Sequence, residues 1–198
     1  MHSATEDRKR TAMTLISREA EKSLRAALAT NDLRRICSAI DIAVHQLGVE
    51  RVAQNADVDR TTVYRAFRLQ NGPSVETMVR VLLVLDLALT VEVRSSQAPN
   101  QFSRRVPLVQ SGKTARFLTA AFRSRDLDRV VRAFAEILSS QENISEFTRQ
   151  TIRSREALYR AFTPPRRPRF STLLSVLNAL GLQFSVERPP SKSKSVAV

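Results

Sequence analysis

The hydrophobic positions in the first half of the chain follow a helical period and then change to the alternation of a strand. Apolar residues recur at spacings of three and four over residues 13–29, 33–47 and 75–85. Asn31 or Asp32 is placed to cap the second of these helices, Gly48 to end it, and Ser74 to cap the third. From residue 87 to residue 93, apolar and polar positions alternate, which predicts a half-buried strand.

Between these helices, residues 48–67 predict two short helices joined by a tight turn. Small apolar residues are spaced so that two steeply crossing helices share one core: Val52, Ala53, Val58 and Val63. Asp57 stands at the turn, where Asp tolerates a left-handed backbone better than most residues. Asp59 is placed to cap the second short helix with its carboxylate. The stretch therefore predicts a helix-turn-helix.

The same pattern then returns further along the chain. The sequence Arg-x-x-x-Tyr-Arg-Ala-Phe occurs at residues 60–67 and again at 155–162, and the strand-like alternation of 87–93 returns at 182–187. Matching positions are 94 residues apart before the helix-turn-helix and 95 after it, so one residue has been inserted. We interpret this as an internal duplication. The expected fold class is mainly α, with two tandem helix-turn-helix domains, each ending in a short β-strand. A lone strand needs a partner, so we expect the two strands to pair, within one chain or between chains.

The composition shifts suggest where the domains end. We expect a disordered N-terminus at 1–12, a first helix-turn-helix domain at 13–93, a basic linker at 94–112, a second domain at 113–187, and a basic disordered tail at 188–198. The linker assignment rests on its Pro, Asn, Gln and Ser residues and on charges that are all positive.

The charge balance points to a polyanionic partner. Lys and Arg number 32 against 19 acids, which gives a formal net charge of +13 and a pI near 11.3. Such an excess opposes compaction by self-repulsion, so nucleic acid is the first candidate partner and an anionic membrane surface the second. No apolar run approaches the ~20 residues of a membrane-spanning helix. The N-terminus also lacks an apolar signal segment, so we expect a cytoplasmic, nucleoid-associated protein without a membrane partner.

Other chemistry is weakly represented. A single cysteine, Cys37, excludes a disulfide within one chain and is expected to be a small buried hydrophobe. His2 and His45 have no partners at metal-ligand spacing, and His45 is expected on a helix surface. No nucleophile and base are suggested by the sequence. We therefore expect no metal, no cofactor and no enzymatic activity.

In the first unit, the outward face of the second short helix carries the candidate DNA contacts. Such a helix lies in the major groove with its N-terminal residues facing base edges. The candidates for base contact are Arg60, Thr61 and Tyr64. The candidates for phosphate contact are Arg51, Gln54, Arg65 and Arg68, whereas Thr62 and Val63 are assigned to packing.

The second unit is more basic and its turn is less regular. Ile152 occupies the position of Asp57, and a β-branched residue does not readily take a left-handed conformation. The base-contact candidates are Arg155, Glu156 and Tyr159, with Glu156 equally explained as an acid in a first helical turn. The phosphate-contact candidates are Arg149, Gln150, Arg160, Arg166, Arg167 and Arg169. We expect the first unit to read bases and the second to add electrostatic affinity.

Several segments of the chain resemble a known family. They are Leu28 to Ile36, the Arg60-x-x-x-Tyr64-Arg65-Ala66-Phe67 segment, Pro73-Ser74 and Leu85-x-Leu87. Together they resemble the addiction-module antidote (antitoxin) proteins of the lambda-repressor-like, Xre/HigA-like helix-turn-helix class, over about 70 residues in each repeat. The resemblance implies a DNA-binding fold, operator binding and, in some members, a toxin partner. Such proteins are usually single units, whereas this chain carries two.

Taken together, the sequence predicts a sequence-specific double-stranded DNA-binding transcriptional regulator. The alternatives are an antitoxin that neutralises a toxin and represses its own operon, a regulator that works by holding another protein, and a non-specific nucleoid-type or membrane-surface binder. A homodimer or strand-mediated self-association is a further expectation.

Overall fold

The structure, a computed structural model, describes residues 16–68, 72–94, 108–140, 155–163 and 166–189, without the side chains of residues 108–110 and 155. The first unit contains helices α1 (Arg18–Ala29), α2 (Leu33–Leu47), α3 (Val49–Ala56), α4 (Arg60–Arg68) and α5 (Val75–Val84), followed by strand β1 (Ala88–Val93). The second unit contains, within the described ranges, helices α6 (Leu108–Arg123), α7 (Leu127–Ser139), α8 (Arg155–Ala161) and α9 (Phe170–Ala179), followed by strand β2 (Leu182–Glu187). The predicted fold class, mainly α with two tandem units that each end in a short strand, is confirmed.

The helix ends of the first unit follow the capping residues in the sequence. The Asp32 carboxylate accepts hydrogen bonds from the amides of Arg34 and Arg35, at 2.8 and 3.2 Å. Gly48 ends α2 with a φ of 89°. The Ser74 hydroxyl accepts from the Thr77 amide at 3.0 Å and so caps α5. Each cap satisfies an amide or carbonyl that the helix itself leaves unpaired.

The turn after α1 and the turn after α6 have the same bonding pattern. Asp126 accepts from the amides of the next two residues at 2.9 and 3.2 Å, as Asp32 does in the first unit. The residues before these caps, Asn31 and Arg125, have φ angles of 54° and 57°. The two units therefore share backbone detail at positions 94 residues apart.

Two features of the structure extend beyond the predicted domain boundaries. Helix α6 begins at Leu108, so residues 108–112, assigned to the linker, lie in a helix. A glycine in a helix interior costs only about 1 kcal/mol, so Gly112 is tolerated within α6. Arg188, assigned to the disordered tail, donates to a carboxylate oxygen of Glu21 at 2.8 Å. The remaining domain limits, including residues 1–15 and 190–198, lie outside the described residues and stay predictions.

The two strands pair with each other inside one chain. They form a two-stranded antiparallel sheet in which Thr90 lies opposite Ser185. These two residues occupy equivalent positions, 95 residues apart. An isolated bridge likewise joins the equivalent residues Ser74 and Arg169. A pseudo-two-fold axis therefore passes through both pairs, and the units face each other as subunits of a symmetric dimer would.

Reciprocal backbone bonds reinforce this axis. The Val75 amide donates to the Pro168 carbonyl at 3.0 Å, and the Phe170 amide donates to the Pro73 carbonyl at 2.9 Å. Because each bond is the symmetry equivalent of the other, the starts of α5 and α9 are held together on both sides of the axis.

The first helix of each unit packs on the strand of the other unit. Helix α1 lies against β2 and helix α6 lies against β1. The Thr119 hydroxyl in α6 accepts from the Val91 amide at 2.9 Å and lies 3.1 Å from the Val91 carbonyl oxygen, to which it donates. This helix thereby satisfies polar groups on the outer edge of β1 that an edge strand would leave open.

The sheet is buried more completely than the alternating pattern predicts. Leu89 and Val91 face the core as expected, but Thr90 is also buried, with 7% of its surface exposed, and Ser185 is 2% exposed. Neighbouring residues point to opposite faces of a strand, so both faces of the sheet are covered at its centre. The prediction of half-buried strands was therefore wrong at these two positions.

Candidate nucleic-acid interface

Helices α3 and α4 are joined by a turn whose backbone is left-handed at Asp57. The φ and ψ angles of Asp57 are 53° and 52°, which confirms the prediction for this residue. The Val58 amide donates to the Ala53 carbonyl at 3.1 Å and closes the turn. Val52, Ala53 and Val63 are at most 2% exposed, so the two helices share the small core that their spacing predicted.

An arginine from α5 clamps this turn. One guanidinium nitrogen of Arg80 donates to the Asp57 carbonyl oxygen at 3.0 Å and to its carboxylate at 3.1 Å, and the other nitrogen donates to Glu76 at 2.9 Å. Sequence reasoning missed Arg80 because it lies 23 residues from the turn. At the equivalent positions of the second unit, Arg80, Glu76 and Asp57 are replaced by Ser175, Ser171 and Ile152. The chain therefore cannot build the same clamp there.

Helix α4 presents one buried face and one polar face. Val63, Ala66 and Phe67 are at most 7% exposed and anchor the helix to the core. Thr61 and Arg65 are exposed, and neither side chain has a polar partner among the described residues. These two predicted contact residues are therefore available to a ligand without breaking an internal bond.

Two arginines lie over the ring of Tyr64. The guanidinium carbons of Arg60 and Arg68 are 5.5 and 4.9 Å from the ring centroid. Arg60 also donates to the Tyr64 hydroxyl at a long 3.4 Å and lies 3.7 Å from a Glu50 carboxylate oxygen. The hydrogen bond to Tyr64 raises the pKa of Arg60 above its ordinary value. Because the Arg60 side chain is 59% exposed and its contacts are long, its guanidinium can exchange them for a stronger partner.

Arg68, predicted as a phosphate contact, has closer polar partners within the chain than Arg60 has, and its side chain is 52% exposed. It lies 3.3 Å from both carboxylate oxygens of Asp41 and 2.8 Å from Nε2 of His45. Nδ1 of His45 lies 2.7 Å from the Asp41 carbonyl oxygen. A neutral His45 with its proton on Nδ1 satisfies both contacts, since Nδ1 then donates and Nε2 accepts. Arg68 and His45 thus join the end of α4 to α2, and the predicted phosphate contact of Arg68 stays a prediction.

Helix α3 carries two candidates for phosphate contact, Gln54 and Arg51. Gln54 is exposed and donates to Glu50 at 3.2 Å. Arg51 is half-buried and its carbonyl accepts from Asn55 at 2.8 Å. Both remain candidates for phosphate contact.

In the second unit, α8 has the same arrangement of faces as α4. Leu158 and Phe162 are buried, while Glu156 and Arg160 are exposed and Tyr159 is half-buried. Arg149, Gln150 and the side chain of Arg155 lie outside the described residues, so their predicted roles stay predictions.

Two of the three loop arginines before α9 hold the units together. Arg167 lies 2.6 Å from a carboxylate oxygen of Asp128 in its own unit and 3.8 Å from Glu76 in the first unit. Arg169 donates to the Gly72 carbonyl oxygen at 3.2 Å. Arg166 is exposed and, within the described ranges, its guanidinium has no partner. Arg167 and Arg169 therefore join the two units, and the predicted phosphate contacts of all three arginines stay predictions.

No group of three or more His, Cys, Asp or Glu side chains in the described residues is arranged to hold a metal ion. None of the described helices combines the length and apolar character needed to span a bilayer.

Comparison with known proteins gives a family. The model of a family described as "Probable addiction module antidote protein" matches residues 11–93 and again residues 100–188. An uncharacterized protein of Haemophilus influenzae is 31% identical over 72 residues, which are 36% of this chain and 73% of that protein. No solved structure matches the chain. The two matches cover most of the sequence in tandem, and the chain therefore belongs to the family of probable addiction module antidote proteins.

Proposed function

We propose that this protein is a transcriptional regulator that binds double-stranded DNA in a sequence-specific manner, with α4 as the reading helix. The observation that carries the proposal is the exposed face of α4. It presents Arg60, Thr61 and Arg65 on a helix whose opposite face is buried and whose preceding turn is clamped by Arg80. A net charge of +13 supplies the electrostatic attraction that such a reader needs.

In this mechanism α4 enters the major groove with its N-terminal turn towards the bases. Arg60 leaves its long contacts with Tyr64 and Glu50 and makes a bidentate pair with guanine O6 and N7, while Thr61 bonds a base edge or contacts a thymine methyl. Tyr64 is the third base-contact candidate. Arg65, Arg51 and Gln54 fix the register on phosphates.

The second unit adds affinity more than sequence reading. Its turn has Ile152 in place of Asp57 and lacks the equivalents of Arg80 and Glu76, so the angle of α8 is less strongly fixed. Its exposed cations, Arg160 and Arg166, suit phosphate contact. Arg155, Glu156 and Tyr159 then provide at most a weaker reading of bases.

The pseudo-two-fold axis suggests a bipartite operator. Symmetric helix-turn-helix dimers read half-sites about one helical turn apart, ~34–36 Å. Here the paired strands relate α4 and α8 inside one chain, so one molecule is expected to cover two unlike half-sites. A homodimer would extend the site further. The expected location is the bacterial nucleoid.

Selection of bound sequences from random duplexes at physiological salt tests the proposal. The expected result is a motif with one strongly and one weakly defined half-site. Recovery of no motif, with binding that depends only on salt, would replace the regulator with a non-specific nucleoid-type binder.

The variant Arg60→Ala then tests whether α4 is the helix that reads bases. It should weaken binding to the selected site by about 1–3 kcal/mol and relax preference at one position. The matched control is Arg116→Ala, which removes one exposed positive charge from α6. Equal loss in the two variants would show that α4 does not read bases.

A second candidate is an antitoxin that neutralises a toxin by protein contact and represses its own operon. The family match favours it, because the family is described as an antidote protein of an addiction module. Copurification from the native host of a stoichiometric protein whose toxicity the chain suppresses would support this role. If suppression survived Arg60→Ala and Arg65→Ala, toxin neutralisation and DNA reading would use different surfaces.

A further inference from the structure

A cavity of about 520 Å³ opens at the seam between the two units. In the first unit its walls come from α5, β1 and Leu87 between them. In the second unit they come from α6, the turn after it, β2 and the two residues that follow β2. The lining is mainly apolar, with four charged side chains: Arg123, Arg125, Arg188 and Glu187. This volume lies within the range of small-molecule sites, roughly 300–1,000 Å³.

The symmetry-equivalent region on the other side of the sheet is closed by polar contacts. The Asn31 side-chain amide donates to the Leu182 carbonyl at 3.1 Å. The Arg94 guanidinium donates to the Asn178 side chain at 2.8 Å, and the Arg94 amide donates to the Gly181 carbonyl at 3.0 Å. These three bonds join the turn after α1 to the start of β2, and the end of β1 to α9 and the turn after it.

On the side of the cavity, each of the three residues whose side chains make these bonds is replaced. Arg125 stands at the position of Asn31, Leu83 at that of Asn178, and Pro189 at that of Arg94. Leu83 offers no acceptor in its side chain, and Pro189 has neither a charged side chain nor a backbone N–H. Arg125 is exposed, and its guanidinium makes no bond within the part of the chain that the structure describes. One member of a symmetric pair of sites is therefore open.

The charge of the open site specifies its ligand. Glu187 is engaged by Arg123 through two bonds of 2.6 and 2.8 Å, and this hydrogen bonding lowers the pKa of Glu187. Arg188 is paired with Glu21. Arg125 remains as an uncompensated cation beside apolar walls formed by residues such as Leu82 and Leu87. An arginine is well suited to a planar carboxylate, sulfonate or phosphate.

We propose that this cavity is a binding site for a small ligand with an apolar body and one anionic group. Arg125 holds the anionic group and the apolar walls hold the body. The site lies on the sheet between the units, separate from the exposed face of α4, so it is independent of which macromolecule α4 binds. Because both units supply walls, an occupied site also stabilises the chain against unfolding.

A pair of fluorescent probes tests the site on the full chain. The probes are 8-anilino-1-naphthalenesulfonate and N-phenyl-1-naphthylamine, which share an apolar body but differ in the sulfonate. The anionic probe is expected to bind saturably with one equivalent per chain and more tightly than the uncharged probe. Arg125→Asn, which installs the residue of the closed site, should weaken only the anionic probe, by roughly tenfold for a charge-assisted contact. Arg116→Asn is the control for loss of one positive charge and should change neither titration.

A second variant recreates the polar closure. Leu83→Asn with Pro189→Arg copies the residues of the closed site and should abolish saturable binding of both probes. If this double variant proves unfolded by circular dichroism, Ala88→Phe, which fills the cavity from the rim of β1, gives the same test. Unchanged binding in a folded closing variant, or equal affinity for the two probes in the original chain, would overturn the proposal.

Discussion

At the residue scale, Asp57 distinguishes the helix-turn-helix turn of the first unit from that of the second. Its left-handed backbone is tolerated by Asp, and its carboxylate and carbonyl oxygens both accept from Arg80. The second unit has isoleucine at this position and serine in place of Arg80. The difference between the units therefore begins at one turn.

Exchanging Asp57 for the isoleucine of the other unit measures how much Asp57 contributes to the stability of the protein. Asp57→Ile should lower the free energy of unfolding by about 1–2 kcal/mol, because a β-branched residue is strained at positive φ and the Arg80 bond is lost. Asp57→Gly is the matched control, since it loses the same carboxylate without the strain and should cost clearly less. Urea unfolding followed by circular dichroism gives both values. Equal destabilisation by Ile and Gly would assign the effect to the carboxylate alone.

The buried thiol of Cys37 makes the stability of the folded protein depend on pH. Burial raises the pKa of its thiol from 9.0 to about 11. The folded chain therefore keeps the thiol proton at pH values where the unfolded chain has released it, so stability is full below pH 9.0 and falls as the pH rises towards 11. Relative to Cys37→Ala, the original chain should lose about 1–2 kcal/mol over this interval. Parallel unfolding curves for the two proteins across these pH values would contradict a buried, protonated thiol.

The sequence predicts the residues whose roles are local. Asp32, Ser74 and Asp57 act within a few positions of themselves, so their roles follow from capping and turn chemistry. The internal partners of Arg68 and Arg167 are not evident from the sequence, because Asp41 and Asp128 lie 27 and 39 residues away. Charge composition alone does not reveal which arginines are already paired.

At the element scale, each strand depends on a helix of the other unit. Helix α6 satisfies the outer edge of β1 through Thr119, while Arg123 at the end of α6 pairs with Glu187 of β2. The pattern of apolar residues predicted the strands and left their pairing open between one chain and two. It did not predict that α1 and α6 cross to the opposite strands, because such contacts leave no local period in the sequence.

Thr119→Val tests the dependence of β1 on α6. Valine keeps the shape of threonine but leaves the Val91 amide and carbonyl without their partner, so the free energy of unfolding should fall by about 1–3 kcal/mol. Thr119→Ser keeps the hydroxyl and should cost less. Hydrogen exchange at the Val91 amide should accelerate in the valine variant and remain slow in the serine variant. An unchanged exchange rate in both would mean that the edge of β1 is protected without this side chain.

At the scale of the whole molecule, two family copies form one pseudo-symmetric body with unequal halves. The axis is marked by the pairs Thr90–Ser185 and Ser74–Arg169. The repeat is evident in the sequence because it has nearly constant offsets. The open cavity at the seam is not evident in the sequence. The polar residues of the closed site are replaced at three positions that are distant in the chain and adjacent only after the sheet has formed.

The inequality of the halves predicts two separable effects on DNA binding. Thr61→Ala in the first unit should reduce affinity for the selected operator while leaving affinity for random DNA and the salt slope nearly unchanged, because a base contact carries sequence information but releases no counterion.

Arg160→Ala with Arg166→Ala in the second unit should weaken binding to both kinds of DNA. It should also lower the slope of log affinity against log salt by about two, because each phosphate contact contributes about one. Both effects can be measured by fluorescence anisotropy over a salt series, with Arg116→Ala as the charge control. A loss of specificity from the second-unit variant as large as that from Thr61→Ala would show that both halves read bases, and the assignment of electrostatic affinity to the second unit would be wrong.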